Sequence, residues 1–148
     1  NEIDLVFFDL PGTVNNLGVV SILNCMDTVI VPVAADKVIL ESSLAFALKI
    51  QEWRTMGKTQ VKEMFMLWNL VDAREKTDLY DLYEQIFEDY GLKTMRTKIP
   101  DTKKYRREGS KTLNRAVFRS TLVPPDKTLL KGTRLPELAD ELLGILNL

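Results

Sequence analysis

Residues 27–36 read Asp-Thr-Val-Ile-Val-Pro-Val-Ala-Ala-Asp, a short β-branched run closed by an acidic residue. An apolar run of about six residues between turn-forming residues is typical of a strand buried on both faces. A helical pattern follows over residues 38–55 and ends at Gly57, and residues 63–69 repeat the strand pattern. Strand, helix and strand at this spacing predict a parallel sheet with right-handed crossovers.

The alternation continues on both sides of this unit. We expect further strands over residues 3–8, 94–99 and 120–123, and further helices over residues 17–25, 77–90 and 134–147. The last helix carries a leucine stripe and should pack on the core. The sequence therefore predicts a single α/β domain over residues 1–148, a three-layer sandwich with a mostly parallel sheet and helices on both faces. Ligands of such sheets bind beyond the carboxyl ends of the strands, where the loops 9–16, 32–37, 69–76 and 100–107 should meet.

Composition limits the chemistry. The 148 residues include one cysteine, Cys25, and no histidine, so Ser–His and Cys–His nucleophiles and histidine-ligated metals are excluded. A bound metal should be a hard ion held by oxygen, such as Mg²⁺. No run of about 18 apolar residues is present, so we expect no membrane association, and the single cysteine fits a reducing cytoplasm.

The net charge of −1 conceals a strong asymmetry. Residues 1–92 carry 7 Lys/Arg against 15 Asp/Glu, whereas residues 93–119 carry 10 against 2. Such a basic block is either a solvated face or a patch for a polyanion, and its local excess favours non-specific DNA. The candidate DNA contacts are Lys103, Lys104, Arg106, Arg107, Lys111, Arg115 and Arg119.

The segment Asp9-Leu-Pro-Gly-Thr13 follows the first predicted strand. A carboxylate at a strand end is a Walker B pattern, in which it orients a water of a Mg²⁺ shell beside nucleotide phosphates. Gly12 would let the backbone approach a phosphate closely. Taken alone, an Asp before a Pro-Gly turn is more often plain turn chemistry.

These motifs, in this order, resemble the ParA/MinD family of deviant-Walker ATPases. The resemblance rests on Asp9-x-Pro, on residues 27–36, on Leu40-Glu41, on Trp68-Asn-Leu-Val-Asp-Ala-Arg74 and on Lys98-Ile-Pro100. Within the family, ParA-like proteins of conjugative transposons are the most similar. The resemblance implies a P-loop NTPase-like fold of the SIMIBI class that binds ATP and Mg²⁺.

Carried over by residue, the resemblance makes Asp9 the catalytic carboxylate near Mg²⁺, held through a water. Pro11 and Gly12 would line the phosphates, Asn69 would contact adenine, and Pro100 would flank the base. Two alternatives stay open for Asn69: it caps a strand end, or it belongs to a guanine-reading Asn-Lys-x-Asp pattern that has Leu70 in place of lysine.

The family's glycine-rich lysine loop is absent from these residues. We therefore expect a C-terminal portion of an ATPase domain, inactive alone, whose sheet lacks the phosphate-loop strand. Strand 3–8 would then have lost a neighbour, which predicts self-association, strand exchange or a rearranged sheet.

The resemblance implies that the full protein dimerises with ATP, binds non-specific DNA and responds to a ParB-type partner. It would maintain a plasmid or conjugative element at the nucleoid. The alternatives are a non-catalytic DNA- or protein-binding module on a degenerate fold and a related GTPase.

Overall fold

The computed structural model describes residues 4–12, 17–74, 77–106 and 127–148. Three strands form one parallel sheet in the order β1-β2-β3, so the predicted α/β class with a parallel sheet is confirmed. The elements in chain order are α1 Leu17–Leu23, β1 Thr28–Val33, α2 Lys37–Thr55, β2 Glu63–Trp68, α3 Thr77–Asp89, β3 Lys93–Thr94, a 3-10 turn Lys103–Arg106, α4 Lys127–Leu130 and α5 Leu135–Leu146.

The centre of the sheet is the pairing of β1 with β2, in register from Thr28 beside Glu63 to Val33 beside Trp68. Alternate residues of both strands are buried, and they join residues of α1, α2 and α3 in one hydrophobic core. The β-branched run therefore forms a strand because both its backbone and alternate side chains find partners.

The predicted helix boundaries are largely confirmed, and local chemistry explains two of them. Asp36 is the N-cap of α2, and its carboxylate accepts a hydrogen bond from the Ile39 amide at 3.0 Å. After α3, Gly91 adopts a φ of +68°, and the Leu92 amide donates to the Phe87 carbonyl at 2.8 Å. A left-handed residue at this position is the usual glycine termination of a helix.

Aromatic packing between β2 and α3 anchors the core. Trp68 and Phe87 are fully buried, and the Trp68 ring meets Tyr80 edge to face at a centroid distance of 4.8 Å. The indole N–H of Trp68 donates to Glu84 Oε1 at 2.8 Å, and Lys98 Nζ lies 2.6 Å from the same oxygen. The one polar group that this large residue brings into the interior is thus satisfied.

The expected strand over residues 3–8 is wrong for the described part, because residues 4–10 form no regular secondary structure. Val6, Phe7 and Phe8 are 57%, 69% and 53% exposed. A strand needs a neighbour for its backbone groups, and no described strand pairs with this segment. Apolar composition alone therefore did not make a strand.

The expected strand over residues 94–99 is much shorter than predicted. Only Lys93 and Thr94 pair as β3, although the Met95 and Ile99 amides still donate to β2 carbonyls. Between them, the amides of Arg96 and Thr97 donate to the Glu141 carboxylate of α5 at 2.7 and 2.8 Å. The carboxylate takes donors that would otherwise extend the strand.

Helix α5 forms as predicted but packs on the core less than expected. None of its residues is buried as a whole residue, and Leu143 is 42% exposed. The predicted edge strand over residues 120–123 lies outside the described residues. Within the described ranges, no helix combines the length and apolarity needed to span a bilayer.

Candidate functional site

Three chain segments meet at the carboxyl end of the sheet. The Asn69 amide donates to the Val33 carbonyl at 2.7 Å, which continues the β1–β2 ladder by one residue. Val71 then forms a parallel bridge with Pro100, where the Val71 amide donates to Ile99 and the Asp101 amide donates to Val71. Asn69 and Pro100, both predicted to surround a base, therefore lie on adjoining segments at the ligand-binding edge of the sheet.

The Asn69 side chain has one oxygen engaged and its amide group available. Its Oδ1 accepts a hydrogen bond from the Leu70 amide at 2.9 Å, which is the strand-end capping role considered for this residue. Among the described residues, none bonds its NH₂ group. Asn69 is half-buried, and its NH₂ group offers two donors that could hydrogen-bond a base edge.

Backbone strain is concentrated at the next residue. Leu70 has a φ of +56° and a side chain that is 46% exposed. A left-handed conformation is uncommon for a residue with a Cβ, and strain of this kind often accompanies ligand-binding loops. Here the Asn69 side chain and the Val71–Pro100 bridge hold the loop on either side of the strained residue.

The loop ends in an ion pair between Asp72 and Arg74. Arg74 Nε lies 2.9 and 3.1 Å from the two carboxylate oxygens, Nη2 lies 2.5 Å from one of them, and the Arg74 amide adds a third donor to Asp72. The Arg74 side chain, followed by its backbone amide, lowers the pKa of Asp72 to about 2. Both groups remain ionised at neutral pH, so the arginine is already neutralised by its neighbour.

Asp9, Pro11 and Gly12 lie elsewhere, along a groove of about 710 Å³ between residues 4–12 and strand β1. All three are exposed. Neither Asn69 nor Pro100 lines this groove. The structure therefore places the predicted base contacts beside one another. The predicted phosphate contacts also lie beside one another, but in a different part of the surface.

The charge of the groove does not fit a nucleotide's phosphates. Three carboxylates, Asp4, Asp9 and Asp27, line it, and none of its lining residues is a lysine or arginine. Lys37 is the first basic residue of the sequence. Phosphates are held by cations or by backbone amides, and the described lining of this groove supplies no cation.

The predicted DNA contacts are described only in part. Lys103 is exposed, whereas Lys104 donates to the Thr128 carbonyl at 3.2 Å and to the Lys131 carbonyl, which neutralises the end of the short helix α4. Arg106 lies in the 3-10 turn. Arg107, Lys111, Arg115 and Arg119 lie outside the described residues, so their role stays a prediction.

Sequence reasoning missed the buried carboxylate of Glu141. Its side chain is 8% exposed, and it links α5 to a loop more than 40 residues earlier in the chain. Burial acts to raise its pKa, but the hydrogen bonds from Thr97 and Arg96 outweigh burial and lower the pKa overall. No local pattern marks this residue, since its partners are distant in sequence.

No family model, curated protein or solved structure matches this chain. The described residues define the class of the fold, an α/β protein with a small three-strand parallel sheet.

Proposed function

We propose that this chain is part of a ParA-type ATPase that maintains a plasmid or conjugative element. The observation that carries the proposal is the meeting of Asn69 and Pro100 at the carboxyl edge of a parallel sheet. The motif order supports it: Asp36 caps α2, Leu40-Glu41 follows within that helix, and Asn69 comes directly after β2. The proposed ligand of this edge is the adenine of ATP.

The acidic groove implies that the phosphates and Mg²⁺ are held with help from residues outside the described ranges or from a longer protein. In the proposed assembly, Asp9 orients a water of the Mg²⁺ shell, and Pro11 and Gly12 approach the phosphates. The proposed state is an ATP-dependent dimer acting with a ParB-type partner on nucleoid DNA. A SIMIBI-class fold and a GTP-specific relative are both compatible with the same edge.

Base binding is tested on the chain itself with adenosine and guanosine, because neither needs a phosphate site. Nuclear magnetic resonance should show adenosine-dependent shifts at Asn69, Val71 and Pro100, and Asn69→Ala should abolish them. Gln85→Ala removes an exposed amide on α3 and should change nothing. Shifts that appear only with guanosine would favour the GTPase, and no shift with either nucleoside would refute the base site.

Hydrolysis is tested on the longest natural protein that contains this chain. We expect DNA-stimulated ATP hydrolysis that falls at least 100-fold in Asp9→Ala. The matched control is Asp4→Ala, which removes a neighbouring carboxylate from the same groove. Equal activity in the Asp9 variant and the wild type would refute the Walker B role.

A second candidate, a DNA-binding module without catalysis, is favoured by the ten basic residues within positions 93–119. Fluorescence anisotropy with a random-sequence duplex should give an affinity that falls steeply with salt. Replacing Lys111, Arg115 and Arg119 with alanine should weaken binding and reduce the salt slope, whereas replacing Lys49, Lys58 and Lys62 should not. Equal losses from both triple variants would show that net charge, and not this block, attracts DNA.

A further inference from the structure

One edge of the sheet carries unpaired backbone groups. The carbonyls of Asp27 and Val33 accept hydrogen bonds from the β2 side, so the odd-numbered residues of β1 face β2. The amides and carbonyls of Thr28 and Ile30 therefore point to the opposite side, where no described residue bonds them. Pro32 also faces this side, but proline has no backbone N–H that needs a partner. Its carbonyl accepts a hydrogen bond from Ser43 Oγ at 3.2 Å.

The space beside this edge is a groove whose walls are largely apolar apart from the carboxylates of Asp4, Asp9 and Asp27. It is the 710 Å³ groove described above, and it separates β1 from residues 4–12. Phe46 of α2 and Leu142 and Leu146 of α5 also line it. A chain segment lying here would meet apolar surface, and it would need to be largely apolar itself, like a strand within a parallel sheet.

The chain carries such a segment in Leu5-Val-Phe-Phe8, hereafter the apolar segment. Its four residues are between 38% and 69% exposed, and no described residue hydrogen-bonds its backbone. Asp4 and Asp9 flank it. A carboxylate is costly to bury without a partner, so Asp4 and Asp9 limit the part of the chain that can enter a groove to about four residues. This length is close to that of Thr28–Pro32, the stretch of β1 that lines the groove.

We propose that the apolar segment of one copy pairs with the free edge of β1 in a second copy. The same chain supplies both the unpaired donor strand and the unpaired acceptor edge, so the exchange is reciprocal and closes as a twofold dimer. The interaction satisfies the Thr28 and Ile30 backbone groups and covers Val6, Phe7 and Phe8. It needs no nucleotide, and it is thus distinct from the ATP-dependent dimer proposed above.

Cross-linking between two differently labelled chains tests the pairing in trans. Both chains carry Cys25→Ser, which removes the natural thiol. The donor chain also carries Val6→Cys or Phe7→Cys, so that both faces of the added strand are sampled. The acceptor chain carries Ile30→Cys. A short thiol-specific bismaleimide should link at least one of these mixed pairs into a species of twice the chain mass. The control mixture replaces the donor cysteine with Val38→Cys, a residue of α2 that is 73% exposed.

Light scattering after size-exclusion chromatography, in the absence of nucleotide, gives the mass independently. We expect a dimer for the wild type and for Val38→Lys, and a monomer for Val6→Lys and Phe8→Lys. A wild-type monomer at high micromolar concentration would overturn the proposal. Cross-linking of the mixed chains that is no stronger than in the control mixture would also overturn it. So would a chain carrying both Val6→Cys and Ile30→Cys that cross-links only within itself.

Discussion

The carboxyl end of the sheet and the free edge of β1 differ in how many of their backbone groups are hydrogen-bonded. At the carboxyl end, Asn69, Val71 and Asp101 each donate to a neighbouring segment, and Leu70, which has a φ of +56°, is held on both sides. Along the free edge of β1, by contrast, Thr28 and Ile30 face a groove, and the apolar segment on its far side bonds no described residue. The first region is held by backbone hydrogen bonds between neighbouring segments, whereas the second leaves backbone groups facing a groove, and the two proposals above concern these two regions.

The largest expected contrast is between a core aromatic residue and an aromatic residue of the apolar segment. Trp68→Ala should cost about 3–5 kcal/mol of unfolding free energy, because it leaves a large cavity in the core. Phe7→Ala should cost less than about 0.5 kcal/mol in the monomer, since its ring is 69% exposed. Urea denaturation at low protein concentration measures both; a large loss in Phe7→Ala would show that the apolar segment packs within one chain.

The next contrast concerns two adjacent acidic residues of α5. Glu141→Ala should destabilise by about 2–4 kcal/mol, because it leaves the Arg96 and Thr97 amides without their acceptor. Asp140→Ala, at an exposed position, should stay within about 0.5 kcal/mol. Equal effects in urea denaturation would mean that the carboxylate does not hold α5 to the sheet.

Glu141 should also make stability depend on pH. Its pKa is lower in the folded state, so its contribution is present above the ordinary glutamate value of about 4.3 and is lost as pH falls through the lower folded value. Urea midpoints measured between pH 6 and pH 3 should therefore fall more steeply for the wild type than for Glu141→Gln. Parallel curves would contradict the assignment.

Two glycines should respond in opposite directions. Gly91→Ala should destabilise by about 1 kcal/mol, because its φ is +68° and an added Cβ would lie 3.4 Å from Gln51 Nε2. Gly144→Ala lies within α5 with open space around the added carbon and should stabilise by up to about 1 kcal/mol. Thermal melts of both variants test the signs, and a stabilised Gly91→Ala would contradict the left-handed helix termination.

The smallest effect is a local titration at the carboxyl end. Nuclear magnetic resonance should give Asp72 a pKa of about 2 in the wild type. Arg74→Ala should return it towards the ordinary aspartate value of about 3.9, because the guanidinium is the largest cause of the shift. An unchanged Asp72 pKa in Arg74→Ala would show that a group other than Arg74 lowers it.

Sequence alone determined most of the framework of this protein. The strand–helix–strand unit could be predicted from the β-branched run at residues 28–33, the apolar residues of 63–68 and the helical spacing between them. The reason is that the spacing of apolar residues along the chain indicates which side chains of a strand or helix are buried. The N-cap at Asp36 and the glycine termination at Gly91 were equally readable, since capping depends on neighbouring backbone groups. Of the candidate site, the position of Asn69 at a strand end was predictable for the same reason.

Tertiary structure decided what depends on partners distant in the chain. Residues 4–8 have strand composition, but they pair with no described strand and form no regular secondary structure. The strand predicted over residues 94–99 is shortened by a carboxylate more than 40 residues away. Lys104 was counted with the DNA contacts, yet in the fold its ammonium caps α4. In each case a hydrogen-bonding partner that the local sequence cannot specify determines the outcome.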